Sequence, residues 1–129
     1  MKPLRRILYV EDDADIRMVA CLALESIGGF EVSACASGEE ALDVADDFAP
    51  DMILLDVMMP GMDGPSTLRA LRGLPGFADT PVAFMTAKVQ PEELAEYGAL
   101  GSCDAIAKPF DPMLLADQVR ALWESVNGC

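Results

Sequence analysis

Asp56 is a lone carboxylate at the end of an apolar run, Met52-Ile53-Leu54-Leu55, and a Pro60-Gly61 turn follows within five residues. Ile7–Val10 runs in the same way into Glu11-Asp12-Asp13, Pro81–Met85 into Thr86, and Cys103–Ala107 into Lys108-Pro109. A continuous apolar run bounded by turn signals reads as a strand buried on both faces. In a parallel sheet the carboxyl ends of the strands share one edge, where ligands and chemistry collect. The polar groups can then converge. Carboxylates brought together repel, by roughly 4 kcal/mol for two charges about 4 Å apart at intermediate dielectric. A divalent cation makes such a cluster tolerable, and oxygen ligands without His or Cys favour Mg²⁺ or Mn²⁺ over zinc. A carboxylate nucleophile, a cation, an ammonium and a hydroxyl make a phosphoryl-transfer site. Asp56 attacks phosphorus, the cation and Lys108 neutralise the moving charge, and Thr86 donates to an anionic oxygen.

Taken singly, each group has a plainer reading. Glu11 to Asp15 also reads as a solvated helix start, Thr86 as a strand-end cap, Lys108-Pro109 as a surface turn, and Asp56 as the first residue of a turn. Four such groups at four strand ends of one sheet make independent accident a poor explanation.

The elements that must position them alternate along the chain. After Ile7–Val10, apolar residues at Ile16, Val19, Ala20, Ala23, Leu24 and Ile27 keep the helix period, with Asp13 as N-cap and Gly28-Gly29 as the stop. Phe30–Cys35 reads as a second strand, and Ser37 caps a helix over Gly38–Asp47 with Glu40 at capping-box spacing. Pro50 separates that helix from the strand ending at Asp56. A helix over Pro65–Arg72 turns Leu68 and Leu71 inward, and Pro81–Thr86 is the fourth strand. A short helix runs from Pro91 to Ala99, Cys103–Ala107 is a small fifth strand, and the last helix covers Pro112–Val126. Its stripe is Leu115, Val119, Leu122 and Val126. Trp123 reads as half-buried core or as a partner anchor. The alternation predicts an α/β sandwich around a parallel sheet, helices on both faces.

With 129 residues, no repeat and no linker, the chain is expected to form one domain, 1–129, with nothing left for an attached output module. Its net charge of −13 argues against a nucleic-acid surface, because no Lys/Arg cluster offsets phosphate repulsion. No apolar run reaches membrane length, so a cytoplasmic protein is expected. Cys21, Cys35, Cys103 and Cys129 lack metal-type spacing and read as reduced thiols. The chain has no histidine, which removes imidazole catalysis and ligation.

The motifs Ile7-Leu8-Tyr9-Val10-Glu11-Asp12-Asp13, Leu54-Leu55-Asp56-Val57-Met58-Met59-Pro60-Gly61-Met62-Asp63-Gly64, Met85-Thr86-Ala87 and Lys108-Pro109-Phe110 together resemble the response-regulator receiver domain of two-component signalling, near the single-domain chemotaxis type. The resemblance implies a flavodoxin-like (βα)5 fold with strand order 2-1-3-4-5. It implies that Asp56 accepts a phosphoryl group from a histidine kinase or histidine phosphotransfer protein. Asp12, Asp56 and the Met58 backbone carbonyl would ligate Mg²⁺ directly, and Glu11 would act through water. Asp13 lies one place beyond the acidic pair and is read as a cap. Lys108 would pair with the phosphoryl group, Thr86 would hydrogen-bond it, and Lys108-Pro109 would be cis.

The resemblance further implies that phosphorylation re-shapes the face of the fourth helix, fifth strand and fifth helix, where a protein target or a second copy would bind. Two departures stand out. The family's aromatic residue three places before the lysine is Ala105 here, which predicts a readout by loop and helix movement or a weak one. Met58 and Lys88 flank the family's attacking water, and neither is an acid or amide, which predicts a long-lived phospho-form. Other readings are a docking or dimerisation module with weak switching, a haloacid-dehalogenase-type phosphatase, and a nucleotide or flavin binder. Met58 stands where the phosphatase needs an acid, and the acidic turn after the first strand is no glycine-rich phosphate cradle.

Overall fold

A computed structural model of the chain describes residues 3–87, 90–99 and 104–127. Strands β1 (Arg6–Val10), β2 (Glu31–Cys35), β3 (Met52–Asp56), β4 (Val82–Thr86) and β5 (Asp104–Ala107) form one parallel sheet in the order β2-β1-β3-β4-β5. Helices α1 (Ala14–Leu22), α2 (Gly38–Phe48), α3 (Gly64–Arg72), α4 (Pro91–Ala99) and α5 (Leu115–Asn127) connect and flank it. This is the flavodoxin-like (βα)5 arrangement. Alternation along each strand divides the interior into two cores, because successive side chains point to opposite faces. Ile7, Tyr9, Met52, Leu54, Ala83 and Met85 pack with Leu24, Leu115, Val119 and Trp123 under α1 and α5. Leu8, Val10, Ile53, Leu55, Val82 and Phe84 pack with Ala41, Ala45, Leu68, Leu71 and Tyr97 under α2, α3 and α4. Each large side chain so buried contributes about 1.5–3 kcal/mol. Trp123 is core.

Local chemistry sets the helix ends. Asp13 accepts from the Asp15 and Ile16 amides at 2.9 and 3.0 Å, which makes it the N-cap of α1. Ser37 accepts from the Glu40 amide at 3.1 Å while Glu40 takes the Ala36 amide at 2.9 Å. Asp63 accepts from the Ser66 amide at 2.8 Å and caps α3. Asp51 takes the Arg5 and Arg6 amides at 3.1 and 2.9 Å, which ties the start of β1 to that of β3.

Four expectations shift. The helix begun at Ala14 changes to a π-helical turn over Ala23–Ile27, closed by a Gly28 amide bond to the Ala23 carbonyl at 3.1 Å. The extra residue in that turn rotates Ile27 off the buried stripe, and Val19 sits at its edge; they are 48% and 40% exposed. Phe30 does not begin β2, because its amide bonds back to the Leu24 carbonyl and closes the helix end. Asp47 does not end α2, which closes at Ala49 in a left-handed conformation (φ 52°). Pro112 does not begin α5: Pro112–Leu114 form a turn held by Asp111, and the helix starts at Leu115. Lys88, Cys103, Cys129 and the side chain of Val126 lie outside the described residues. Among those residues no helix is long and apolar enough to cross a membrane.

Candidate functional site

The ends of β1, β3, β4 and β5 meet on one edge. In register, Val10 pairs with Leu55, Asp56 with Met85 and Thr86 with Ala107, so Glu11, Asp56, Thr86 and Lys108 project at one level. The Lys108 amide donates to the Thr86 carbonyl at 2.9 Å and the Val57 amide to the Met85 carbonyl at 3.2 Å, which fixes neighbouring strand ends against each other. The Lys108-Pro109 peptide is cis. Behind Asp56, the Gly64 amide donates to the Val57 carbonyl at 2.9 Å. A Cβ on Gly64 would lie 2.5 Å from the Asp56 carbonyl oxygen and 2.8 Å from the Val57 Cα. Only glycine lets α3 start this close to the strand end.

Carboxylate oxygens of Glu11, Asp12 and Asp56 lie within 4.8 Å of one another. Glu11 and Asp56 are buried and Asp12 is exposed at the mouth. The Lys108 ammonium is 2.7 Å from Glu11 Oε1 and 3.3 Å from Asp56 Oδ1. Burial pushes the Glu11 carboxyl above its ordinary value, the Lys108 hydrogen bond opposes this, and nearby Asp56 adds to the rise. Burial pulls the Lys108 ammonium down, but the bond to Glu11 and the charge of Asp56 outweigh it, and the net shift is upward. The Arg17 guanidinium donates to the Glu11 carbonyl at 2.8 Å, which holds the chain as it leaves β1.

Three carboxylates thus face one ammonium, and surplus negative charge remains. A divalent cation balances it, and the oxygen-only donor set fits Mg²⁺ or Mn²⁺. Thr86 is buried at the end of β4, and its hydroxyl accepts from the Tyr97 hydroxyl at 3.4 Å. The Met58 side chain is 71% exposed beyond the site. The structure therefore brings Glu11, Asp12, Asp56, Thr86 and Lys108 to one edge and keeps Asp13 as a cap. Two contacts were not anticipated from the sequence. Arg17 lies between the apolar positions of α1, and Tyr97 falls in the short helix expected over Pro91 to Ala99. A large aromatic on that helix beside the small Ala105 was the available signal.

A buried aspartate flanked by acids and a lysine, at the carboxyl edge of a 2-1-3-4-5 sheet, defines a phospho-accepting α/β signalling domain. The family model for the response regulator receiver domain matches residues 7–120, and the chain belongs to that family. It is 36% identical over 117 residues to the DNA-binding response regulator MtrA of Mycobacterium tuberculosis, covering 91% of this chain and 50% of the relative. It is 34% identical over 123 residues to the phosphate regulon transcriptional regulatory protein PhoB of Escherichia coli, covering 95% and 53%. The chain spans about half the length of these curated relatives. Among solved structures, the chemotaxis protein CheY4 of Vibrio cholerae superposes with a TM-score of 0.86 at 32% identity, covering 93% of this chain and 99% of that one. The beryllofluoride-activated DrrB receiver domain gives 0.77 at 26% identity, with 95% and 99% covered.

Proposed function

We propose that residues 1–129 act as one receiver unit in a phosphorelay. A phosphohistidine on a histidine kinase or phosphotransfer protein gives its phosphoryl group to an Asp56 carboxylate oxygen. The O–P bond forms as the N–P bond breaks, and the imidazole leaves with the electron pair. One observation carries the reading: the carboxylates of Glu11 and Asp12 gather around Asp56, with the Lys108 ammonium at 3.3 Å. Asp56 and Asp12, with the Met58 backbone carbonyl, would hold Mg²⁺ and Glu11 would assist through water, while Glu11 also fixes Lys108 at 2.7 Å. When bound, Mg²⁺ supplies charge to the transferring oxygens. Lys108 pairs with the phosphoryl group, and the Thr86 hydroxyl donates to it. The only chemistry is the gain and loss of the chain's own phosphoryl group.

The donor has a place to dock. An apolar groove of about 260 Å³ runs beside Lys108 between Ile16 and Val19 of α1 and Phe110 and Pro112. It continues along Leu22 and Ile27. A partner seated there reaches the mouth where Asp12 is exposed. A second groove of about 390 Å³, lined by Leu94, Ala105, Ala107, Gln118 and Leu122, suits a downstream protein or a second copy on the α4-β5-α5 face.

The test is incubation with acetyl phosphate, with and without Mg²⁺, followed by intact mass. One added phosphoryl group that needs Mg²⁺ and disappears in Asp56→Asn supports the reading. No addition, or addition to Asp56→Asn, ends it.

A further inference from the structure

Ala105 leaves β5 without an aromatic ring, but the space beside Thr86 is not without one. Tyr97 of α4 fills it. Its ring is 6% exposed and packs edge-on against Phe84 with centroids 5.0 Å apart and planes at 63°. Phe84 stands opposite Ala105 in the β4–β5 register, two residues before Thr86. The Tyr97 hydroxyl donates to Thr86 Oγ1 at 3.4 Å. We propose that Tyr97 is the positioning residue that couples the state of Thr86 to α4, in place of a ring on β5. This rests on the phosphoryl-accepting reading of Asp56.

Three points carry it. The first is hydrogen-bond capacity. A threonine hydroxyl has one proton and two lone pairs, so Thr86 can donate to a phosphoryl oxygen while accepting from Tyr97. A chain of hydroxyls polarises cooperatively, so loading the first bond strengthens the second. The second is slack. At 3.4 Å the bond is long against the usual 2.7–2.8 Å for O–H···O, so movement of Thr86 can change it substantially. The third is mechanical. Tyr97 sits one turn from Leu94 on the same helix face, and Leu94 lines the outer groove with Ala105, Ala107, Gln118 and Leu122. A shift of the ring therefore reaches the partner-facing surface through the helix that carries it. Packing alone needs no hydroxyl, since a phenylalanine makes the same edge contact with Phe84.

Tyr97→Phe separates the two roles. With acetyl phosphate and Mg²⁺, intact mass reads acceptance at Asp56, and backbone amide shifts across α4 read the response. The expected result is a variant that folds, takes one phosphoryl group as the parent does, and loses about two- to tenfold in the population of the shifted α4 state. Thr86→Ala shows the same loss, and Tyr97→Phe added to it changes nothing further, the non-additivity of a shared path. Wild-type α4 shifts in phosphorylated Tyr97→Phe overturn the proposal, as do additive losses in the double variant. Failure of the parent itself to take a phosphoryl group overturns the reading of Asp56, and the coupling falls with it.

Discussion

Lys108 stands between two carboxylates and serves both, 2.7 Å from Glu11 and 3.3 Å from Asp56. Its charge matters most when a phosphoryl group arrives, because the transferring oxygens add negative charge to an already acidic site. Lys108→Met is therefore expected to slow phosphoryl acceptance from acetyl phosphate by about 10²-fold or more. Mg²⁺ binding is kept or tightened, since the oxygen donors remain and a competing cation is gone. Titration calorimetry beside the mass assay checks both halves, and weaker Mg²⁺ binding counts against the scheme. Elsewhere, Cys35 ends β2 in the second core, and burial, with the Glu40 charge, pushes its thiol up to about 11 from 9.0. The folded state thus favours the neutral thiol. The stability this gives is full below pH 9.0 and is lost as pH climbs through about 11. The stability advantage over Cys35→Ala should shrink by about 2 kcal/mol across that window, as read by urea melts at each pH. An advantage independent of pH would contradict the burial of a neutral thiol.

The start of α3 is where an element bears directly on the site. A Cβ at position 64 meets backbone on the Asp56–Val57 segment, which cannot swing aside as a flexible side chain can. Gly64→Ala should cost about 1–3 kcal/mol and lower phosphoryl acceptance, since the clash lands on the residue that carries the nucleophile. Unaltered melting and acceptance would show that the loop yields freely. One residue earlier, Asp63 caps the same helix, and its bond from the Ser66 amide lowers its carboxyl below the ordinary value. Asp63→Ala should cost about 1 kcal/mol near neutral pH. The folded value is depressed, so this contribution is present above the unfolded value of 3.8 and fades as pH falls through the folded one. Thermal melts of both proteins should converge in acid. The Asp13 and Ser37 caps and the strand-end set were legible because they depend on residue type at short spacing or on the shared edge of parallel strands, whereas the Asp63 cap was not read from the sequence. The π-helical turn was not, since apolar periodicity counts residues and does not register an inserted one. Tyr97 was legible only as an aromatic on a short helix, because its meaning comes from packing on Phe84, which stands across the strand pair from Ala105.

At the scale of the molecule, negative charge is the governing fact. The net charge is −13, and three of the carboxylates are held within 4.8 Å of one another at one edge. Without a cation the fold keeps them together against their repulsion, with one ammonium to offset it. Removing one carboxylate should therefore stabilise the metal-free protein, and Asp12→Asn is the clean choice because Asp12 is exposed and carries no core packing. With Mg²⁺ the order reverses. Parent protein at about 100 times its dissociation constant gains about 2.7 kcal/mol, while the variant binds weakly and gains little. Melting curves of the two proteins, with and without Mg²⁺, should cross: variant higher in chelator, parent higher in Mg²⁺. High monovalent salt should raise both in chelator, and should raise the parent more where its extra surface charge is screened. If Asp12→Asn melts lower in both conditions, the carboxylates are not straining the metal-free fold. An equal Mg²⁺ increment in parent and variant would remove Asp12 from the ligand set.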